Sequence, residues 1–223
     1  MKESESLMQY KTILFDLDGT ITDSGEGIIH SVIYALKKLN IAVPDSTELY
    51  SFIGPPLNDT FKNSYHLDDE STEQAVSYYR EYYQAKGMYE NRIYKGIPKV
   101  LADLKQAGCN VYIATSKPEI YAKQILAHFD LAHYFDGIYG ASLDGERSKK
   151  GDVIRYALNE ANLTQLKEII MIGDRSHDIL GAKENELDCI GVLYGFGNKA
   201  ELEKSGADYI VSTPEEIEEI ITK

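Results

Sequence analysis

Tryptophan is absent from the 223 residues, and cysteine occurs only twice. Cys109 and Cys189 cannot close a zinc site without a companion histidine cluster. Each sits in or beside an apolar, strand-like segment, so both are expected to be buried and reduced. Long apolar runs are missing too. None approaches the roughly 20 residues that span a bilayer, and the opening MKESESLMQY lacks the basic-then-apolar pattern of a secretory leader. These absences predict a cytoplasmic protein with no membrane contact. Positive charge is scarce: 23 Lys and Arg against 36 Asp and Glu give a formal charge of -13. Binding a phosphate backbone requires clustered lysine and arginine, which excludes nucleic acid as a partner. Any phosphate this chain handles must be met locally, by a bound cation or a few placed lysines.

What is present is enough apolar content, 43%, for one core domain and a modest second one. Short apolar, partly β-branched runs recur at Thr12 to Phe15, Asn110 to Ala114, Gly137 to Gly140, Glu168 to Ile172, Cys189 to Tyr194 and Asp208 to Val211. Each is followed by turn residues and a helical pattern. Runs this short and this apolar fit strands buried on both faces, and their alternation with helices predicts an α/β fold with a parallel sheet. Helix punctuation agrees: Pro98 opens one helix and Gly108 closes it, Pro118 opens the next, and Pro214 and Glu215 fall in the first turn of a last one.

The interval from Thr22 to Arg92 differs, because no comparable strand-like run appears in it. Ile28, Ile29, Val32, Ile33, Leu36 and Leu39 keep helical spacing, and STEQAVSYYREYYQAKG reads as a second helix ending near Gly87. The expected organisation is therefore a core of residues 1–21 and 93–223 interrupted by an all-helical insert, 22–92. The spacing of Tyr78, Tyr79, Tyr82 and Tyr83 predicts packing within a small helical core in preference to a pocket wall.

In sheets of this class, ligands bind beyond the carboxyl ends of the strands, so the residues standing there carry the chemistry. The first strand offers Asp16 and Asp18, the second Thr115, Ser116 and Lys117, the fourth Gly173, Asp174 and, a helical turn on, Asp178. RSKKGD supplies Lys149 and Lys150 ahead of a helix. Clustered carboxylates repel unless a cation sits among them, and hard oxygen ligands without histidine or cysteine suit Mg2+. A cation and a lysine are also what phosphoryl transfer requires, since its transition state spreads negative charge over the equatorial oxygens. In DLDGT, one carboxylate can attack phosphorus while the other, two residues on, delivers a proton to the leaving oxygen. GFGNKA near the carboxyl end has a G-x-G-x-x-A pattern, but with one strand to follow it is expected to be a linking loop, not a dinucleotide site.

DLDGT, IATS, a lysine before a helix and GDRSHD, in that order from Phe15 to Asp178, resemble the four motifs of the haloacid dehalogenase superfamily. YKGIPKVLADLKQAG is also similar to its phosphoglycolate phosphatase-like branch. The resemblance implies a Rossmann-like core with a helical cap inserted after the first strand, and a Mg2+-dependent phosphatase of a small phosphorylated metabolite working through an aspartyl-phosphate. A 5'-nucleotidase and a β-phosphoglucomutase-like phosphomutase are the alternatives within the superfamily. A receiver-like phosphoacceptor domain is the non-enzymatic one, and it leaves the helical insert unexplained. The resemblance further implies that Asp16 is the nucleophile and that Asp18 is the acid and base, with its backbone carbonyl on the metal. Thr115 and Ser116 would bind the phosphoryl group, Asp174 would ligate the metal, and Asp178 would be a ligand or an anchor of its loop. The usual Lys-Pro of the third motif is here Lys149-Lys150-Gly151-Asp152. Lys150, nearer the helix, is expected to reach the phosphate and Lys149 to be solvated. Lys117 is either a substrate contact or a surface residue, and His177 is expected to be an exposed loop residue. FIGPPL, with Gly54, is either a plain turn or, by the resemblance, a substrate-reading loop above the site.

Overall fold

The computed structural model describes residues 8–222; the first seven residues of the stretch read for a leader lie outside them. The chain runs β1 (Thr12–Phe15), β2 (Thr22–Asp23), α1 (Gly25–Lys38), α2 (Ser46–Leu49), α3 (Leu57–Tyr65), α4 (Asp69–Ala85) and β3 (Arg92–Ile93). It continues through α5 (Ile97–Gln106), β4 (Asn110–Pro118), α6 (Glu119–His128), β5 (Gly137–Ala141), α7 (Lys150–Glu160) and β6 (Ile169–Gly173). The last elements are α8 (Ser176–Glu184), β7 (Asp188–Val192), α9 (Lys199–Lys204), β8 (Tyr209–Val211) and α10 (Glu215–Ile221).

Six strands form one parallel sheet in the order β5-β4-β1-β6-β7-β8. This is the doubly wound Rossmann arrangement, in which the first strand lies at the switch point and connections leave it in both directions. Side chains alternate across a strand, and β1 sends Ile13 and Phe15 into one apolar cluster and Leu14 into another, all three fully buried. The first cluster is roofed by α5, α6 and α10 through residues such as Leu101, Ile125 and Ile217. The second is roofed by α7 and α8 through Val153, Ile154 and Ile179. Burial on both faces explains why these runs read as continuous apolar stretches. Cys109 and Cys189 are buried and unpaired.

The interval read as purely helical departs from expectation at its two ends. Thr22 pairs with Ile93 and Asp23 with Arg92, so a short antiparallel ribbon ties its entry to its exit. Two-residue strands carry no periodicity, which is why the pattern is silent there. Between them α1 packs against α4, with the Tyr34 and Tyr82 rings 5.5 Å apart. The strand read as Asn110 to Ala114 also runs further. Thr115 pairs with Gly140 and Pro118 with Ala141 across a register shift, so Thr115, Ser116 and Lys117 lie on a bulged strand end and not in a following loop.

Candidate active site

The registers that build the sheet bring the acidic motifs together. Phe15 lies opposite Ile113 on β4 and Ile172 on β6, and the Asp16 amide donates to the Ile172 carbonyl at 2.9 Å. Asp16, Thr115 and Asp174 thus leave three adjacent strands at nearly one level. Gly19 turns the chain directly after Asp18 at φ 83, and a Cβ there would come within 2.2 Å of the Asp174 carboxylate. Only glycine offers both that backbone and that space.

Lys150 opens α7 and is almost fully buried, while Lys149 before it is exposed. The Lys150 Nζ donates to Asp16 Oδ1 at 2.5 Å and to the Ala114 carbonyl at 2.9 Å, and it lies 2.8 Å from Asp178 Oδ1. Asp178 Oδ2 accepts from the Arg175 amide at 3.0 Å, so this residue caps α8 as well as facing the lysine. Asp16, Asp174 and Asp178 each offer a carboxylate oxygen within 4.8 Å of the others, and all three are buried. The Asp18 carboxylate is not in that group; its Oδ2 pairs with the Lys117 Nζ at 2.9 Å.

Burial dominates the electrostatics. Desolvation lifts the Asp16 carboxyl to about 6 despite the opposing pull of Lys150. Burial, then Asp178 and Asp16, push Asp174 well above the ordinary carboxylate range. Burial works against the charge of Lys150, but Asp16 and Asp178 outweigh it and hold the ammonium above the usual lysine value. Asp174 Oδ2 accepts from the Phe196 amide at 2.7 Å, whereas Asp174 Oδ1 is buried with no hydrogen-bond partner. A buried carboxylate oxygen left bare is costly. Three converging carboxylates with one bare oxygen, and no histidine or cysteine among them, fit a hard divalent cation such as Mg2+.

Above these residues lies a cavity of about 320 Å³. Its floor includes Asp16, Asp18, Thr115 and Ser116, and its opposite wall comes from the insert through Phe52, Gly54, Tyr79, Arg80 and Tyr83. Three of the expectations are sharpened or corrected here. Lys117 is buried, not at the surface, and donates to the Tyr83 hydroxyl at 2.7 Å. Tyr79 and Tyr83 pack in the core as expected and also line the cavity; helical spacing shows which tyrosines share a face but not what that face meets. His177 is on α8, half-buried, with its Nε2 inaccessible and without a hydrogen bond, and burial lowers its pKa.

The reason for the burial of His177 lies in FIGPPL. Gly54 has φ 106, and a Cβ on it would sit 2.6 Å from the His177 Nε2. Arg175 Nη1 donates to the Ile53 carbonyl at 2.9 Å. The loop is thus clamped onto the fourth motif, a contact between residues more than a hundred positions apart that no local pattern encodes. Phe196 is likewise missed: GFGN is a linking loop, as expected, with Lys199 and Ala200 opening α9, but its backbone holds Asp174.

The comparisons with known proteins agree with this geometry. A curated 5'-nucleotidase from Pseudomonas aeruginosa is 46% identical over 89% of this chain and 89% of its own length. The tyrosine-protein kinase PtkA of Mycobacterium tuberculosis is 39% identical over 94% of this chain and 72% of its own. A crystal structure described as a predicted phosphatase from Clostridium acetobutylicum superposes with a TM-score of 0.91 at 51% identity, covering 94% of this chain and 97% of that one. The family model of the haloacid dehalogenase-like hydrolases matches residues 13–192, and the chain belongs to that family as an enzyme acting on phosphate esters.

Proposed function

We propose that the protein is a Mg2+-dependent phosphomonoesterase in which residues 1–21 and 93–223 form the catalytic core and 22–92 a cap. The observation that carries the reading is the Asp16 carboxylate on the cavity floor, held by Lys150 and flanked by Asp18. Asp16 Oδ2 attacks phosphorus, the bond to the leaving oxygen breaks with its electron pair, and that oxygen takes the proton carried by Asp18. The alcohol departs and an aspartyl-phosphate remains. Asp18, now a carboxylate, takes a proton from water as that water attacks phosphorus, releasing inorganic phosphate and restoring Asp16. Thr115 and Ser116 face the phosphoryl oxygens, and Lys150 offsets charge on Asp16 and the transferring group. Asp16, Asp174 and Asp178, with the Asp18 carbonyl, would hold the cation, which supplies Lewis-acid stabilisation of the phosphoryl oxygens.

For the leaving group we favour a nucleoside. A cavity of about 320 Å³ walled by Phe52, Tyr79 and Tyr121 is larger and more aromatic than a two-carbon acid requires, and a base can lie against such rings. The 46% identical nucleotidase supports the same reading. Arg80 on that wall favours a second one, a leaving group ending in a carboxylate, as in phosphoglycolate. Phosphate release from nucleoside monophosphates, phosphoglycolate, sugar phosphates and pyrophosphate, each with and without Mg2+, separates them. Asp16→Asn should abolish turnover and Asp18→Asn should cripple it; wild-type activity in purified Asp16→Asn would overturn the mechanism.

A further inference from the structure

Among the described residues, Lys117 and Lys150 are the only buried lysines or arginines. A buried ammonium is costly unless paired, and each of these is spent on one carboxylate of DLDGT: Lys150 on Asp16 and Lys117 on Asp18. They are anchored differently. Lys150 is fixed by groups of the sheet and of α8. Lys117 donates to the hydroxyl of Tyr83 on α4, at 2.7 Å, and lies 4.6 Å from the centre of its ring. That ring is itself immobilised, stacked on Tyr79 at 5.5 Å and against Tyr121 at 5.6 Å, and only 1% of Tyr83 is exposed. Asp18 thus has one oxygen, Oδ2, committed to Lys117, while its other oxygen, Oδ1, is buried without a hydrogen-bond partner in a residue that lines the cavity.

We propose that Tyr83 and Lys117 are positioning residues for Asp18: the cap-borne hydroxyl seats the ammonium, the ammonium holds Oδ2, and Oδ1 is left aimed at the leaving-group oxygen. The insert thereby completes the proton-handling half of the site, which the core alone leaves without its anchor. This rests on the reading above, in which Asp18 serves the leaving group. A leaving group that departs readily as an anion has little need of Asp18, whereas a basic one depends on it. Loss of the positioning contact therefore weighs on substrates according to leaving-group basicity, not according to shape.

Phenyl phosphate and p-nitrophenyl phosphate test this, since they nearly match in shape while the nitro group makes its phenolate a far better leaving group. Tyr83→Phe keeps the ring and removes only the hydroxyl. It should lower kcat/KM for phenyl phosphate about 10-fold, the scale of one lost hydrogen bond to a charged group, and for p-nitrophenyl phosphate by less than about 2-fold, with KM unchanged for both. Lys117→Met should give the same split more strongly, with thermal unfolding confirming that both variants fold. Equal losses on the two esters, a rise in KM alone, or no change on either would overturn the proposal while leaving the Asp16 mechanism standing. A wild-type protein that in Mg2+ releases phosphate from neither ester nor from any nucleoside monophosphate, phosphoglycolate, sugar phosphate or pyrophosphate would overturn that mechanism and the proposal with it.

Discussion

Replacing Lys150 by methionine removes a charge while keeping most of the stem volume, so the cavity penalty is small and the electrostatic one is exposed. The Nζ lies 2.5 Å from Asp16 Oδ1 and 2.8 Å from Asp178 Oδ1, with 2% of the lysine side chain exposed. Removing one partner of a buried ion pair costs about 3–5 kcal/mol, because the remaining charge is uncompensated. For a chain of this size 1 kcal/mol moves Tm by roughly 2–4 °C, so Lys150→Met should melt on the order of 10 °C lower at pH 7.5 in EDTA. The pH dependence has a definite sign. Asp16 already sits at about 6 when folded against 3.8 as the reference, so the folded chain binds its proton more tightly than the unfolded one and gains stability as pH falls from about 6 toward 4. Without Lys150 that folded value rises further, the window widens upward, and the variant recovers more than the wild type on acidification from pH 7.5 to 5.5. The exposed Lys149→Met should shift stability by less than about 0.5 kcal/mol. Differential scanning calorimetry reads all three curves. A Lys150→Met protein within about 1 °C of wild type at pH 7.5, or a deficit that does not narrow in acid, would refute the reasoning.

Saturating Mg2+ should stabilise the wild type by about 2.7 kcal/mol at a hundredfold excess over Kd, read as a higher Tm, and EDTA should end turnover. That stabilisation should shrink below pH 6, where Asp16 takes a proton in competition with the ion; an equal shift at pH 7.5 and 5.5 would contradict it. Asp174→Asn should lose most of the Mg2+-induced shift, since it neutralises a buried carboxylate of the trio. Gly54→Ala should cost about 1–3 kcal/mol or displace the loop, because it places a side chain at φ 106 and 2.6 Å from His177. The double variant with His177→Ala should recover the steric part, readable by unfolding and by KM.

The sheet was legible because burial on both faces leaves a signature in single strands, and the acidic motifs were legible because each stands at a strand end, where the fold class places its ligands. Lys150 over Lys149 followed from its position at a helix start. The parts that stayed hidden are long-range or too short to be periodic. The ribbon of Thr22–Asp23 with Arg92–Ile93 has two residues a side. The burial of Lys117 depends on a tyrosine 34 positions earlier in the chain, and that of His177 on a glycine in FIGPPL. A histidine in a polar motif reads as exposed and a lysine before a proline reads equally as a surface or a substrate residue, since their partners come from an element whose docking the sequence does not specify.

The side-chain contacts among these share a direction, because each joins the insert to a residue beside or paired with a motif carboxylate. Arg175 and His177 stand beside Asp174 and Asp178 and hold Ile53 and Gly54; Lys117 follows Thr115, pairs with Asp18 and holds Tyr83. The insert walls the cavity through Phe52, Tyr79 and Arg80, so that wall is tied to the carboxylates on both sides of the site. The chain carries a net charge of -13, which repels a phosphate dianion at long range. Long-range attraction therefore does not supply the affinity, which falls to local contacts in the cavity, where a lower dielectric makes each charge count for more. Because the same insert reaches the residues beside Asp174 and Asp178 and the partner of Asp18, a change in how it seats on the core should disturb both sides of the cavity at once.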